Sequence, residues 1–544
     1  MRLIDVGAFN GVQEPHLVDT DPDDRGSYLA LSYRWGGRNI IRTTISNLHI
    51  HKQCIPFSSL CKTIQDAIMA TRRLGFRYLW VDALCIIQDS TADWDRESSM
   101  AASIYRHATI TLSATVATTG DAGLFFPRER TKCVAMTYNT RDGNPDCQFF
   151  MTHPRHDSSF AEDVTYGVLN TRGWILQERV FSRRIVHFGK DQLHWECMSV
   201  TCSEDGRDGI RFKDIDRSLA QLIFEAPIQS CENPQIAGER PATNSARMYD
   251  YWYDMLENYT SRALTFEEDN LPALSGLANL CEKWSGDHYV AGLWKGNFGR
   301  GLIWCGSNLS QPARFLAPSW SWASLLGAKY FLTHSFSSAK SALGNIQISI
   351  ETTNAANRYG QVKAGQVSLS GPCRQIFDHQ FHFADVNVPD GQCSAAKPWF
   401  PRYDNGLPED RTSSPIEVDD KDLDYYKQWQ AARATPQWIS LSTEYHAPWS
   451  TNISDEHGIQ IGEAMFDDPS IILDHDLFIL LVYNTGHRVS YQNVRHPQHF
   501  TPKGEYGFAI LLRRLKPGNF CRIGLASIDC EFFTDAAVEQ VVIY

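Results

Sequence analysis

The sequence has no run of about 18 apolar residues, the length a helix needs to cross a bilayer, and its opening stretch MRLIDVGAFNGVQEPHLVDTDPDD lacks the basic flank, apolar segment and cleavage site of a signal peptide. A soluble, cytoplasmic chain without a membrane span is expected. No basic stripe stands out, and 51 Lys and Arg against 63 Asp and Glu leave a formal charge of -12, which argues against a nucleic-acid partner whose phosphates need neutralising. Neither G-x-G-x-x-G nor G-x-x-x-x-G-K-[ST] occurs, so the glycine-rich cradles of hydride-transfer dinucleotides and of nucleoside triphosphates are missing. The 14 cysteines form no C-x-x-C pair and fit reduced thiols better than a disulfide framework. His194, Cys197 and Cys202 come nearest to a metal cluster but lack a fourth ligand, so no metal and no resident cofactor are expected. There is no repeat of fixed period.

What the chain has is length and rings. Its 544 residues exceed what one hydrophobic core serves, so two or three domains are expected. The 15 Trp supply rigid surface for compact cores or ring-stacking clefts. YLALSYRWGG, from Tyr28, reads as a buried strand ending in an aromatic and glycine turn. CKTIQDAIMATRRLG carries Ile64, Ala67, Ile68 and Leu74 at helical spacing and stops at Gly75, and FRYLWVDALCII then runs apolar over a strand's length. Strand, helix, strand opens a parallel α/β sheet. Ser90 and Asp93 make a capping box for the next helix, and ATITLSATVA reads as a strand. GVLNTRGWILQERVFS reads as a helix capped by Asn170 or Thr171, and RIVHF with QLHWEC as a hairpin around Gly189, Lys190 and Asp191. The expected division is an α/β domain over 1–205, a mainly helical region over 206–330 and a β-rich region over 331–544. The Pro- and charge-rich stretch 391–422 is expected to be a flexible insert.

Several residues stand out chemically. Trp94, Glu97, Ala101, Ile104 and Ala108 share one helix face, which is otherwise apolar, so Glu97 is either a carboxylate facing a cleft or half of an internal salt bridge, for instance to Arg34. Asp82 falls near a strand's carboxyl end, where open α/β sheets bind ligands; it either orients a ligand hydroxyl or caps the local backbone. Gln88 and Asp89 read as turn and capping residues. Ser32, Tyr33, Arg34, Trp35, Gly36 and Gly37 form the other strand-end loop: Arg34 suits a pyrophosphate, Trp35 a base, and the glycines a close backbone approach. Tyr33 and Trp35 equally suit a core plug beneath the turn. Cys85 invites a nucleophile reading with His107 or His187 as base, against the simpler one of a buried small hydrophobe. Trp174, Gln177, Glu178, Arg179 and Arg184 mix apolar and charged positions on one helix and its exit, with Glu178 and Arg179 read as an internal ion pair.

Three blocks, YLALSYRWGG, the run from TIQDAIMATRRLG through ATITLSA, and LNTRGWILQERVFSRRIVHFGKDQLHWEC, together resemble the fungal heterokaryon-incompatibility (HET) domain over about residues 28 to 200. The resemblance implies a self/non-self recognition and programmed cell-death module with a TIR-like or flavodoxin-like parallel sheet. HET domains resemble Toll/interleukin-1-receptor (TIR) domains, some of which cleave NAD. LSYRWGG is similar to the first TIR strand, and Trp94 with Glu97 to the W-x-x-E pairing that carries the catalytic Glu there. That implies Glu97 as catalytic residue, a substrate site of Ser32, Tyr33, Arg34, Trp35, Gly36, Asp82 and Trp94, NAD as substrate, and activity on self-association. The alternatives are a non-catalytic assembly module whose C-terminal half senses a protein partner, and an enzyme recruited to another substrate.

Overall fold

The computed structural model describes residues 1–7, 13–21, 23–36, 41–128, 133–138, 147–152, 159–206, 242–331, 340–355, 357–377, 380–383, 450–454, 457, 460–467, 476–485 and 505–544. The stretch 391–422 lies outside them. The chain divides into two compact units, Met1–Asn244 with Arg262–Gly286, and Ser245–Ser261 with Asp287–Tyr544. The region read as a helical middle is therefore shared between the two.

The first unit is built on an eight-stranded sheet. Its strands are β1 Arg2–Asp5, β2 His16–Asp19, β3 Tyr28–Ser32, β4 Tyr78–Trp80, β5 Ile110–Ser113, then, after a separate hairpin of β6 Cys133–Tyr138 and β7 Cys147–Thr152, β8 Arg184–Phe188, β9 Leu193–Cys197 and β10 Thr201–Ser203. The helices are α1 Leu48–His51, α2 Lys62–Arg73, α3 Asp82–Cys85, α4 Thr91–His107 and α5 Gly173–Phe181. The order across the sheet is β10-β9-β8-β5-β3-β4-β1-β2. The four central strands β8, β5, β3 and β4 are mutually parallel, and antiparallel hairpins close both flanks. All five residues of β3 are buried, which its unbroken apolar run demands of a strand at the centre of a parallel sheet.

Helix α2 carries the chain from β3 to β4, and α4 carries it back to β5 on the other side of β3. The direction of travel thus reverses at β3. In open α/β sheets such a switch point opens a crevice at the strands' carboxyl ends. Three elements differ from the sequence reading. The apolar run after Phe76 is not one long strand: β4 ends at Trp80, and Asp82 starts the helical turn α3 by accepting the Ala83 N–H at 2.7 Å. The polar lead-in contributes β1 and β2, whose four paired residues each were too short to show a period. Helix α5 starts at Gly173 without a side-chain cap, because Asn170 donates to the Thr165 carbonyl and Thr171 to that of Val168.

The second unit is β-rich. Helix α6, Ala242–Thr260, enters it from residue 245 on, and the Trp-rich segments follow. Trp294, Trp304, Trp320 and Trp322 are fully buried there, so these rings serve the core. Gly292 is required by this packing: its φ is +95°, and a Cβ on it would fall 2.5 Å from Trp322 Nε1. Strands Val362–Ile376, Leu477–Asn484, Tyr506–Lys516, Asn519–Asp529 and Val538–Ile543 pair in a closed ring, antiparallel except where the last two meet. Closure leaves those five strands no open edge. Inside this unit Arg522 is buried, donating to Asp467 Oδ2 at 2.9 Å and to the Trp304 carbonyl at 2.6 Å, with its guanidinium 3.5 Å from the Trp304 ring centre.

Candidate functional site

At the carboxyl ends of β3 and β4 the two strand-end loops meet. Trp35 Nε1 donates to Asp82 Oδ2 at 2.7 Å, and Gln88 Nε2 donates to the Asp82 carbonyl at 3.0 Å. Asp82 is partly buried; burial pushes its carboxyl up to about 6, against the lowering by the Trp35 and Ala83 donors and the Arg172 charge. Tyr33 is buried beneath the loop, its hydroxyl without a hydrogen-bond partner and driven well above its ordinary range by burial and by Asp82. Arg34 and Gly36 are exposed and Trp35 is half-buried. Gly36 has φ +89°, and a Cβ on it would come within 2.9 Å of the Gly120 nitrogen, whose N–H donates to the Trp35 carbonyl at 3.1 Å. The glycine therefore serves a backbone crossing.

Helix α5 brings in a second carboxylate. Burial raises Glu178 to about 7; the Ser32 hydroxyl, the Arg172 charge and the Tyr105 hydroxyl pull it down, while Asp82 pushes it further up. Its Oε2 is buried without a hydrogen-bond partner. Arg172, at the start of α5, donates to the Tyr33 carbonyl at 3.1 Å and lies near both carboxylates. Glu178 is not paired with Arg179. Arg179 instead makes a two-pronged contact with Glu196, at 3.0 and 3.2 Å. Sequence reasoning missed Arg172 and Tyr105, which only the fold brings to this point; the one local hint was an Arg at the foot of the helix.

Glu97 lies in a different environment. It is 1% exposed, on the buried face of α4, with Arg2 at 3.8 Å and Arg96 at 3.5 Å from its Oε1. Arg2 also donates to Asp93 and, at 2.7 Å, to the Cys85 carbonyl. The partner is thus Arg2, delivered by the unread strand β1, and not Arg34. Asp93 does not complete a capping box: Ser90 caps it at 3.3 Å, but its own carboxylate takes the Ile87 N–H at 2.8 Å and the two arginines. Trp94 packs edge-on against Trp174 at 6.2 Å. Cys85 is fully buried with its thiol pushed up to about 12 by burial, His107 is exposed and bonded to Ser103, and neither shares a contact with the other. Cys85 is a core hydrophobe.

Residues 28–178 match the family described as heterokaryon incompatibility protein (HET). The chain carries a HET domain. No curated protein and no solved structure matches it.

The HET match runs from Tyr28 to Glu178, yet the sheet also takes in β1 and β2 before it and β8, β9 and β10 after it. Strand register sets Ser32 beside Ser113, Ser113 beside His187 and His187 beside His194, a polar row across the carboxyl ends. His187 is 2% exposed; its Nε2 is 2.7 Å from Glu196 Oε2 and its Nδ1 3.1 Å from Thr115 Oγ1. Burial holds its pKa below the ordinary value although Glu196 pulls it up. His194 engages Ser203 at 2.7 Å and Asp163 at 3.0 Å, and among the described residues no group of three His, Cys, Asp or Glu could hold a metal ion. Ser32, Ser113, Thr115, Glu178 and His187 border a cavity of about 20 Å³, room for one water molecule. Among the described residues no helix is long and apolar enough to cross a membrane.

Proposed function

We propose that this chain acts in heterokaryon incompatibility and programmed cell death, with the HET domain as effector, and that the effector step is cleavage of the nicotinamide–ribose bond of NAD on self-association. What supports the chemistry is the pair of carboxylates, Asp82 and Glu178, both raised toward neutrality and gathered with Trp35, Tyr33 and Arg172 where the sheet reverses direction. Nicotinamide leaves as a neutral base, so the reaction needs no strong acid. It needs a fixed carboxylate beside the oxocarbenium-like ribosyl cation and partners for the ribose hydroxyls. In this reading NAD lies outside the strand ends, over Arg34 and Trp35, and Asp82 and Glu178 meet the ribose. Glu97 is the weaker candidate on electrostatic grounds, since two guanidiniums within 4 Å already balance its charge.

The test sets Glu178→Gln against Glu97→Gln in the full chain fused to an inducible dimerisation module, with NAD consumption as readout. Loss of one electrostatic stabiliser should cost Glu178→Gln on the order of 100-fold in turnover, and Glu97→Gln much less. The reverse ranking returns the role to Glu97. A wild type that leaves NAD untouched when dimerised favours the second reading, a non-catalytic assembly module. One observation supports that reading: Glu97, the residue matching W-x-x-E, is ion-paired.

A further inference from the structure

The network around His187 has a direction. Glu196 receives both prongs of Arg179, the arrangement of an ionised carboxylate, so it accepts hydrogen bonds. The His187 nitrogen facing it, Nε2 at 2.7 Å, must therefore carry the ring proton. A neutral imidazole holds one proton, which leaves Nδ1 as an acceptor. The group facing Nδ1 is the Thr115 hydroxyl at 3.1 Å, whose Oγ1 also stands 3.0 Å from Ser113 Oγ and 3.3 Å from the Ser113 carbonyl, an alternative acceptor for its proton. Thr115, His187 and Glu196 are each at most 2% exposed. Hydroxyl, imidazole and carboxylate are thus lined up to pass a proton from Thr115 toward His187. The cavity between Thr115 and Glu178 has the volume of one water and polar groups on its wall, which is what a bound water requires.

We propose that this cavity holds the attacking water of a hydrolysis step, and that Thr115 and His187, oriented by Glu196 and Arg179, carry off its proton. The inference rests on the reading of Glu178 as the carboxylate beside the ribosyl cation. As the C1′–N bond breaks, its electron pair leaves with nicotinamide. The water oxygen then bonds to C1′, its proton passes to Thr115 Oγ while the Thr115 proton passes to His187 Nδ1, and the imidazolium is balanced by Glu196. The products are ADP-ribose, nicotinamide and one proton released to solvent. Thr115 and His187 are positioning and relay groups in this scheme, while Glu178 meets the reacting atoms.

The experiment uses the dimerised full chain with NAD and two competing acceptors, water and added pyridine. Pyridine attacks through a lone pair and releases no proton, so base exchange does not need the relay. Thr115→Val and His187→Gln should lower hydrolysis on the order of 100-fold, the scale of general-base assistance, with base exchange kept within about threefold, and Thr115→Ser should restore hydrolysis. Hydrolysis and exchange falling together, or an unchanged ratio, would overturn the relay while leaving the NAD reading intact. A wild type that neither hydrolyses nor exchanges NAD overturns that reading and the hydrolysis step with it, leaving the proton order of Thr115, His187 and Glu196 to be tested by itself. The relay is then judged on the unmodified protein by 15N chemical shifts of selectively labelled histidine: a proton on Nε2 of His187 supports it, and a proton on Nδ1 overturns it. That measurement also covers the case in which the Thr115 and His187 variants fail to fold.

Discussion

Two helices of the first unit each carry a glutamate against the same sheet, Glu97 buried and Glu178 half-buried with its Oε2 enclosed, and the two carboxylates have different surroundings. Glu97 on α4 has guanidiniums at 3.8 and 3.5 Å. Glu178 on α5 has a second carboxylate among its neighbours and a pKa raised to about 7. What differs is the balancing charge: guanidiniums reach Glu97 Oε1 within 4 Å, whereas at Glu178 burial outweighs the opposed pulls of Arg172 and Asp82. An ion-paired glutamate contributes to the fold and has little charge left to offer a substrate, whereas a desolvated one stores free energy that a cationic transition state can recover. A buried carboxylate on an apolar helix face is therefore not in itself a mark of chemistry.

The largest effect should come from the cation shared by the first centre. Arg2→Ala leaves Asp93 and Glu97 buried with Arg96 alone, a side chain that is 56% exposed. Breaking a buried ionic cluster in this way costs about 3 kcal/mol or more, read as a drop in the urea midpoint at unchanged m-value. A loss within 0.5 kcal/mol would mean that Arg2 is not the balancing charge, and would make Glu97 comparable to Glu178.

Substituting glutamine in each centre gives a sharper contrast, because the two changes should alter stability in opposite directions. Glu97→Gln removes a charge that Arg2 needs and should destabilise by about 2 kcal/mol. Glu178 holds its proton more tightly in the folded chain than its ordinary value of 4.5 allows in the unfolded one. Its contribution to stability is therefore present below about pH 4.5 and is lost as pH rises through about 7, at most about 3 kcal/mol in all. Glu178→Gln cannot titrate, so it should gain on the wild type between pH 4.5 and 7 while losing turnover. Denaturation at both pH values measures this. Parallel pH dependence of the variant and the wild type would remove the basis for singling out Glu178.

Much of this was legible in the sequence. The runs around Leu31, Ile64, Leu79 and Leu112 are apolar at the right periods, so β3, α2, β4 and β5 and their order could be read, as could the hairpin of β8 and β9. The strand-end loops were legible too, and the fold joins them through Trp35 and Asp82. What escaped was non-local. Arg2 lies 91 residues from Asp93, and Arg172 lies 139 from Tyr33; no spacing rule spans such separations. Glu178 was visible but given the wrong partner, because Arg179 turns to Glu196, which strand β9 brings beside it from 17 residues on. The Thr115, His187 and Glu196 relay assembles from a loop and two strands only once the register is fixed.

The smallest expected effect separates the two centres through their helices. The Ser90 side chain caps α4, accepting the Asp93 N–H at 3.3 Å, whereas Arg172 at the start of α5 makes no side-chain cap. Ser90→Ala removes one satisfied donor from the helix that carries Asp93 and Glu97, a loss of about 1 kcal/mol. It also frees the turn in which the Ile87 N–H and Arg2 converge on Asp93. Glu178 has neither contact, and its surroundings come from Ser32, Asp82, Arg172 and Tyr105. The variant should therefore lose about 1 kcal/mol by denaturation while the pH 4.5 to 7 slope assigned to Glu178 stays as in the wild type. A changed slope would show that the two centres are coupled through α4, and the contrast between a structural and a chemical carboxylate would have to be redrawn as one shared network.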